Sequence, residues 1–145
     1  MDEHLAEYDP RYLAGIVLFN QGDFFEAHEV WEELWIDMAG PEKQFFQGLI
    51  QAAVALCHFC NGNLAGARKV YISSHKYMQK YLPELHGLDI EQFWQDMNAC
   101  FEQVLEAEAF DKPIPIVEEL IPEIHINPAP ESWPDPDEYL PDEDH

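Results

Sequence analysis

Two stretches of this chain, residues 18–31 and 58–71, repeat each other at a spacing of 40 residues. They read LFNQGDFFEAHEVW and HFCNGNLAGARKVY, and the matched pairs are Phe19 and Phe59, Gly22 and Gly62, Asp23 and Asn63, Ala27 and Ala67, and Trp31 and Tyr71. Glycine adopts the left-handed turn that ends a helix, and an Asp or Asn side chain caps the next helix. The repeat therefore predicts two antiparallel helical hairpins, an arrangement that weakly resembles tetratricopeptide proteins.

The rest of the chain extends this pattern to a compact all-α array of about five helices. The predicted helices span residues 10–21, 23–38, 41–61, 64–81 and 89–108. Each shows apolar residues at helical spacing, and proline, glycine or an Asx residue marks its boundaries. We expect the helices to form one domain, residues 1–108.

The chain after residue 108 differs in kind, because residues 110–145 hold 8 of the 11 prolines. We expect an acidic, Pro-rich tail over residues 109–145 that is extended or disordered. Residues 114–126 contain enough Ile, Leu and Val to lie on the domain surface as an arm, with Trp133 or Tyr139 as an anchor.

The net charge of −22 limits the classes of partner. Residues 1–108 hold 18 acids and 6 bases, and residues 109–145 hold 11 acids and 1 base. Such a surface repels phosphate backbones and attracts cationic partners, so we expect no nucleic-acid partner. The longest nearly apolar run, residues 48–60, is too short to span a membrane, and the first ten residues contain no apolar signal segment.

Cys57, Cys60 and Cys100 form no disulfide framework. The C-x-x-C of the first two lacks the βαβ context of a redox motif and the second pair of a zinc site. The sequence therefore predicts buried free thiols and a cytoplasmic protein.

The helix over residues 23–38 contains the most conspicuous candidate site. Asp23 and Glu26 have the spacing of a capping box. On a helical wheel His28 and Glu32 fall inside a broad apolar arc that includes both tryptophans, Trp31 and Trp35. His28 and Glu32 are four residues apart and can touch, and a buried carboxylate needs such a partner. One interpretation is a structural pair that orients the two tryptophans, another is a Glu32 that reaches the rim of the arc, and a third is a ligand or metal site.

The following helix carries a narrow polar stripe of Gln44, Gln47, Gln51 and His58. One interpretation is a solvent-facing seam. The sharper interpretation is a polar wall that meets His28 and Glu32 across the contact between the two helices. The predicted cluster is His28, Trp31, Glu32, Trp35, Gln47, Gln51 and His58.

Three motifs resemble a known family over about residues 12–80, the bacterial and plastid domain-of-unknown-function family 309. They are an E-A-H-E…E-x-x-W helix, a Q-G-L-I-Q helix and a G-N-x-x-G-A turn. On this chain they fall on Glu26, His28, Glu29, Glu32 and Trp35, on Gln47, Gly48 and Gln51, and on Gly62, Asn63, Gly66 and Ala67. The resemblance implies an all-α cytoplasmic domain and no assigned reaction. The fifth helix and the tail lie outside it.

These observations favour a non-catalytic helical binding or scaffold module that needs no cofactor. An alternative is a metal-dependent or acid–base enzyme in which His28, Glu32, Gln51 and His58 act, with a divalent metal on His28, Glu32 and His58. A second alternative is a small organic ligand bound between Trp31 and Trp35. Partners can be a protein, a small ligand or a second copy in a homodimer, but neither a nucleic acid nor a membrane.

Overall fold

The computed structural model describes residues 8–141 and confirms an all-α fold with five helices. They are α1 (Pro10–Asn20), α2 (Phe24–Asp37), α3 (Lys43–Cys60), α4 (Leu64–Gln79) and α5 (Ile90–Glu106). The acidic start of the chain and the last four residues of the predicted tail lie outside the described residues. Among residues 8–141, no helix combines the length and the apolar character needed to cross a bilayer.

The two repeated turns are equivalent in structure. Gly22 and Gly62 take φ values of +85° and +80°, and the capping residues that follow them have nearly the same backbone. Asn63 accepts a hydrogen bond from Gly66 N at 3.1 Å. The capping box predicted at Asp23 is wrong, because this side chain accepts no bond from the first turn of α2. Because the two turns have nearly the same backbone, the difference in capping lies in the side chain and not in the turn.

Close packing joins the helices of each hairpin. A methyl group on Gly15 of α1 would overlap with the Trp31 indole of α2, and Trp31 Nε1 donates to Tyr12 O at 3.1 Å. In the second hairpin, Ser74 Oγ of α4 donates to Gly48 O of α3 at 2.6 Å. Both crossings are buried, so small residues and satisfied polar groups allow the helices to approach.

A small β-hairpin connects α4 to α5, where the sequence predicts a loop. Strand β1 (Glu84–Leu85) pairs antiparallel with β2 (Leu88–Asp89). His86 and Gly87 at its tip have φ values of +52° and +79°. Strands of two residues contain too few positions for apolar alternation, so the sequence shows no strand signal here.

The Pro-rich segment lies against the helices as an arm, as predicted for residues 114–126. Ile124 is 1% exposed, and its backbone N and O exchange hydrogen bonds with the Asn20 side chain at 2.8 and 2.9 Å. Ile126 forms a bridge with Leu88 of the small hairpin. Trp133 is 43% exposed, so it is not an anchor. Whether the domain boundary falls at residue 108 stays a prediction.

Candidate functional site

Helix α2 lies between α1 and α3, and only its inner face is buried. The side chains of that face are Phe24, Ala27, Val30, Trp31 and Leu34. Of the candidate residues on α2, Trp31 lies on this buried face, His28 and Trp35 are half-buried, and Glu32 is exposed. The position of each candidate follows from its angle on the helix.

The two tryptophans of the predicted cluster have structural contacts. Trp31 is fully buried, and its indole bonds to α1. Trp35 is half-buried, and the Lys43 ammonium lies 4.6 Å from its ring centroid, within the range of a cation–π contact. The two rings therefore do not line an open pocket for an organic ligand.

Glu32 is exposed, which agrees with the interpretation that its side chain reaches the rim of the apolar arc. His28 is half-buried, and its Nδ1 lies 2.8 Å from Phe25 O. A carbonyl only accepts, so His28 Nδ1 carries the proton in this contact. Within residues 8–141, no hydrogen bond or ion pair links His28 to Glu32. A carboxylate in water needs no such partner.

The polar residues of α3 lie in two different environments. Gln47 and Gln51 are half-buried, and Gln51 Oε1 is shielded from solvent without a hydrogen-bond partner in the described chain. His58 Nδ1 lies 3.3 Å from Asn63 Nδ2, so the imidazole contacts the residue that caps α4. The sharper interpretation, a polar wall around Glu32, is therefore not what the structure shows.

The predicted metal ligands do not converge. Residues 8–141 contain no group of three or more His, Cys, Asp or Glu side chains that could hold a metal ion. His28, Glu32 and His58 accordingly do not form the mixed nitrogen and oxygen site that the enzyme alternative requires.

The outer face of α2 is an acidic stripe with two exposed apolar side chains. Phe25 and Ile36 are 52% and 61% exposed, and Glu32 and Glu33 are exposed between them. Phe24–Asp37 contains five acids and no Lys or Arg. We call Phe25, Glu32, Glu33 and Ile36 the acidic face. A helical wheel places Phe25 and Ile36 within the apolar arc of α2, so the sequence did not predict their exposure.

The chain is similar to a family of known proteins. Residues 12–70 match the family described as "Domain of unknown function (DUF309)". An uncharacterized protein of Bacillus subtilis, YpuF, is 34% identical over 122 residues, which cover 80% of this chain and 70% of YpuF. The chain belongs to the DUF309 family.

A second relative is an uncharacterized protein of Aquifex aeolicus, 31% identical over 96 residues. The alignment covers 66% of the DUF309 chain described here and 28% of the Aquifex protein, which is therefore much longer. Both relatives are uncharacterized, so the family supplies a fold and no reaction. The family match includes α2 and ends inside α4.

The cysteines of this DUF309 protein are free but not uniformly buried. Cys100 is buried, Cys57 is half-buried and Cys60 is exposed, so the prediction of buried thiols holds for Cys100 alone. Burial raises the pKa of Cys100 to about 12. Burial also raises the pKa of Cys60, with smaller contributions from Cys57 and Glu118. Neutral thiols of this kind are poor nucleophiles.

A groove of about 420 Å³ between α4 and α5 was also missed by the sequence analysis. Its lining includes His75, Gln79, Glu91, Trp94, Gln95 and Asn98. The polar spacing of Glu91, Gln95 and Asn98 on α5 was the available signal. The Trp94 indole is buried and donates to Met78 Sδ, so it offers no exposed platform for a ligand.

Proposed function

We propose that this DUF309 protein is a non-catalytic helical binding module whose acidic face docks a cationic amphipathic segment of a partner protein. The proposal rests on the exposure of Phe25 and Ile36 on one side of the most acidic helix. Single exposed apolar residues are ordinary, but these two share a stripe with two exposed carboxylates.

The spacing of the stripe fits a helical ligand. Phe25 and Ile36 are eleven residues apart, which corresponds to about 16 Å along a helix. Glu32 and Glu33 lie between them and form no ion pair within residues 8–141, so both carboxylates are available to Lys or Arg of a partner. A partner helix with apolar residues along one side and bases beside them would satisfy both groups.

The net charge of −22 supports a cationic partner and rapid, salt-dependent encounter. The cytoplasm is the location we propose, because the three cysteines are free and one of them is exposed. The module needs no cofactor. No contact among the described residues favours the metal-dependent or acid–base alternative.

Calorimetry with an amphipathic leucine–lysine helix of about 16 residues tests the proposal. We expect micromolar binding that weakens about tenfold or more in Phe25→Ser/Ile36→Ser, a variant of unchanged charge. Val117→Ser/Leu120→Ser, which removes two exposed apolar side chains of the arm, is the matched control and should bind like the unmodified protein. The variants replace exposed side chains, so circular dichroism should show the same helix content.

A scrambled peptide of the same composition separates docking from general charge attraction. It keeps the lysines and loses the apolar side. If it binds as tightly as the amphipathic peptide, and Phe25→Ser/Ile36→Ser changes nothing, the acidic face is not a docking surface.

A further inference from the structure

The 40-residue repeat relates α2 to α4, yet the two helices carry opposite charges. Leu64–Gln79 contains three bases and no acid, whereas α2 contains five acids and no Lys or Arg. The same spacing of 40 residues, continued beyond the repeat, aligns Glu32 with Ile72 and Ile36 with Lys76. Equivalent positions point in equivalent directions from their helices, so the outer faces of α2 and α4 correspond in shape and differ in charge.

Lys69, Ile72 and Lys76 form the basic face of α4. All three are exposed, and Ile72 is 57% exposed. Neither lysine forms an ion pair or a side-chain hydrogen bond within residues 8–141, although the chain has 29 acids. In contrast, Arg11 bonds Asp9 and Asp37. Within the described part of the chain, these two bases therefore have no acidic partner.

The basic face presents two ammonium groups and an exposed apolar side chain, which are the groups that the acidic face is proposed to bind. We propose that a second copy of this chain docks its basic face on the acidic face of the first copy. The inference rests on the proposed function and names a partner for the same surface. The association joins exposed side chains of α2 in one protomer to exposed side chains of α4 in its partner.

The two patterns are inverse and fit together. The acidic face has apolar side chains at its ends and carboxylates between them. The basic face has ammonium groups at its ends and Ile72 between them. Lys69 and Lys76 are about 10 Å apart along α4, which fits inside the roughly 16 Å between Phe25 and Ile36. The aliphatic stems of Lys69 and Lys76 can therefore pack near Phe25 and Ile36 while their ammonium groups reach inward to the carboxylates.

The net charge of each copy limits the affinity. Two chains of −22 repel each other, but at 0.15 M salt the Debye length is about 8 Å, so close pairs on α2 and α4 dominate short-range docking. We expect a weak, reversible association. Each copy carries both faces. In a two-fold dimer, the acidic face of each copy would contact the basic face of the other copy, which gives two equivalent contacts.

Sedimentation equilibrium of the full chain at 0.15 M NaCl tests the inference by charge exchange. We expect self-association of the unmodified protein that weakens about tenfold or more in Lys69→Glu/Lys76→Glu and in Glu32→Lys/Glu33→Lys. An equimolar mixture of the two variants should associate again, because the first keeps its acidic face and the second keeps its basic face.

Glu91→Lys/Glu102→Lys on α5 makes the same change in net charge as Glu32→Lys/Glu33→Lys but keeps both faces, so this matched control should self-associate like the unmodified protein. A mixture of the two face variants that associates no better than either alone overturns the inference, as does a strictly monomeric unmodified protein. If that monomer still binds the amphipathic leucine–lysine peptide through Phe25 and Ile36, the proposed function survives and only the identity of its partner is lost.

Discussion

At the scale of single residues, Gly15 sets the distance between α1 and α2. Any side chain at this position meets the indole of Trp31, which is fully buried and bonded to Tyr12. An indole is rigid, so the helices must separate or Trp31 must leave its position.

Gly15→Ala should therefore lower the free energy of unfolding by about 1–3 kcal/mol, although alanine favours helices. Chemical denaturation measures the change. Trp31→Leu is destabilising by itself, but it removes the clash, so the double variant should cost less than the sum of the single variants. Additive costs would show that the two residues do not compete for the same space.

Buried titratable groups make the fold sensitive to alkali. Burial holds the pKa of Cys100 at about 12 and raises the pKa of Tyr12 well above its ordinary value. Both groups are neutral in the folded chain. Their contribution to stability is complete below the ordinary values of 9 and 10 and is lost as the pH rises through the folded values.

We expect the free energy of unfolding to fall between pH 9 and 12, by at most about 1.4 kcal/mol per pH unit for each group. Urea denaturation at a series of pH values measures the slope. Cys100→Ala should reduce the slope by the contribution of one group, at most about 1.4 kcal/mol per pH unit. A flat profile to pH 11 would contradict the assignment.

The exposure of Phe25, Glu32 and Ile36 has a physical cause. The helical wheel combined all apolar residues of α2 into one arc about 240° wide, whereas a surface helix usually buries a stripe of little more than 100°. With α1 and α3 as its neighbours, α2 buries the inner part of that arc and leaves Phe25 and Ile36 in solvent. A broad arc on a strongly acidic helix indicates a surface as much as a core.

At the scale of elements, specific hydrogen bonds hold the arm against the helices. The Asn20 side chain bonds both the backbone N and O of Ile124, and the Arg68 guanidinium donates to Ala107 O at 2.7 Å where the arm leaves α5. The arm then adds Ile124 and Ile126 to the core. Proline content predicted its extended form but not its path.

Asn20→Ala should lower the free energy of unfolding by about 1–3 kcal/mol, because it leaves the backbone of buried Ile124 without hydrogen bonds. It should also speed proteolysis within residues 109–141, which mass spectrometry can follow. Gln21→Ala changes the exposed neighbour, and we expect a cost of no more than about 0.5 kcal/mol. Equal cleavage rates in both variants would show that Asn20 does not hold the arm.

The five helices could be predicted because each has local signals: periodicity, a cap such as Asn63, and glycine at the turns. The small hairpin could not, since it depends on a pairing of two residues per strand and on a bridge from Ile126, far away in the chain. The predicted cluster of His28, Gln51 and His58 likewise depends on contacts between helices, which the sequence does not show. Spacing places side chains on a helix face, but the neighbouring helices decide which face is covered.

At the scale of the whole molecule, the charge of −22 is the dominant electrostatic feature. The folded chain brings its acids together, and the self-repulsion opposes the compact state. Salt shortens the Debye length from about 30 Å at 0.01 M to about 8 Å at 0.15 M.

The melting temperature should therefore rise when NaCl increases from low to physiological concentration. Each 1 kcal/mol gained corresponds to roughly 2–4 °C for a chain of this size. KCl should act equally if screening is the cause and a specific Na⁺ site is not. Calorimetry that shows a fall in melting temperature with salt would mean that local ion pairs outweigh the repulsion.

The four tryptophans lie in different surroundings, which gives this chain its own optical reporters. Trp31 and Trp94 are buried, Trp35 lies under an ammonium group beside the acidic face, and Trp133 is largely in water on the arm. A Trp133→Phe variant removes the solvent-exposed emission. In that variant Trp35, which is half-buried beside Ile36, is the one indole that is not buried, so quenching by an added reagent can report on docking without an attached dye.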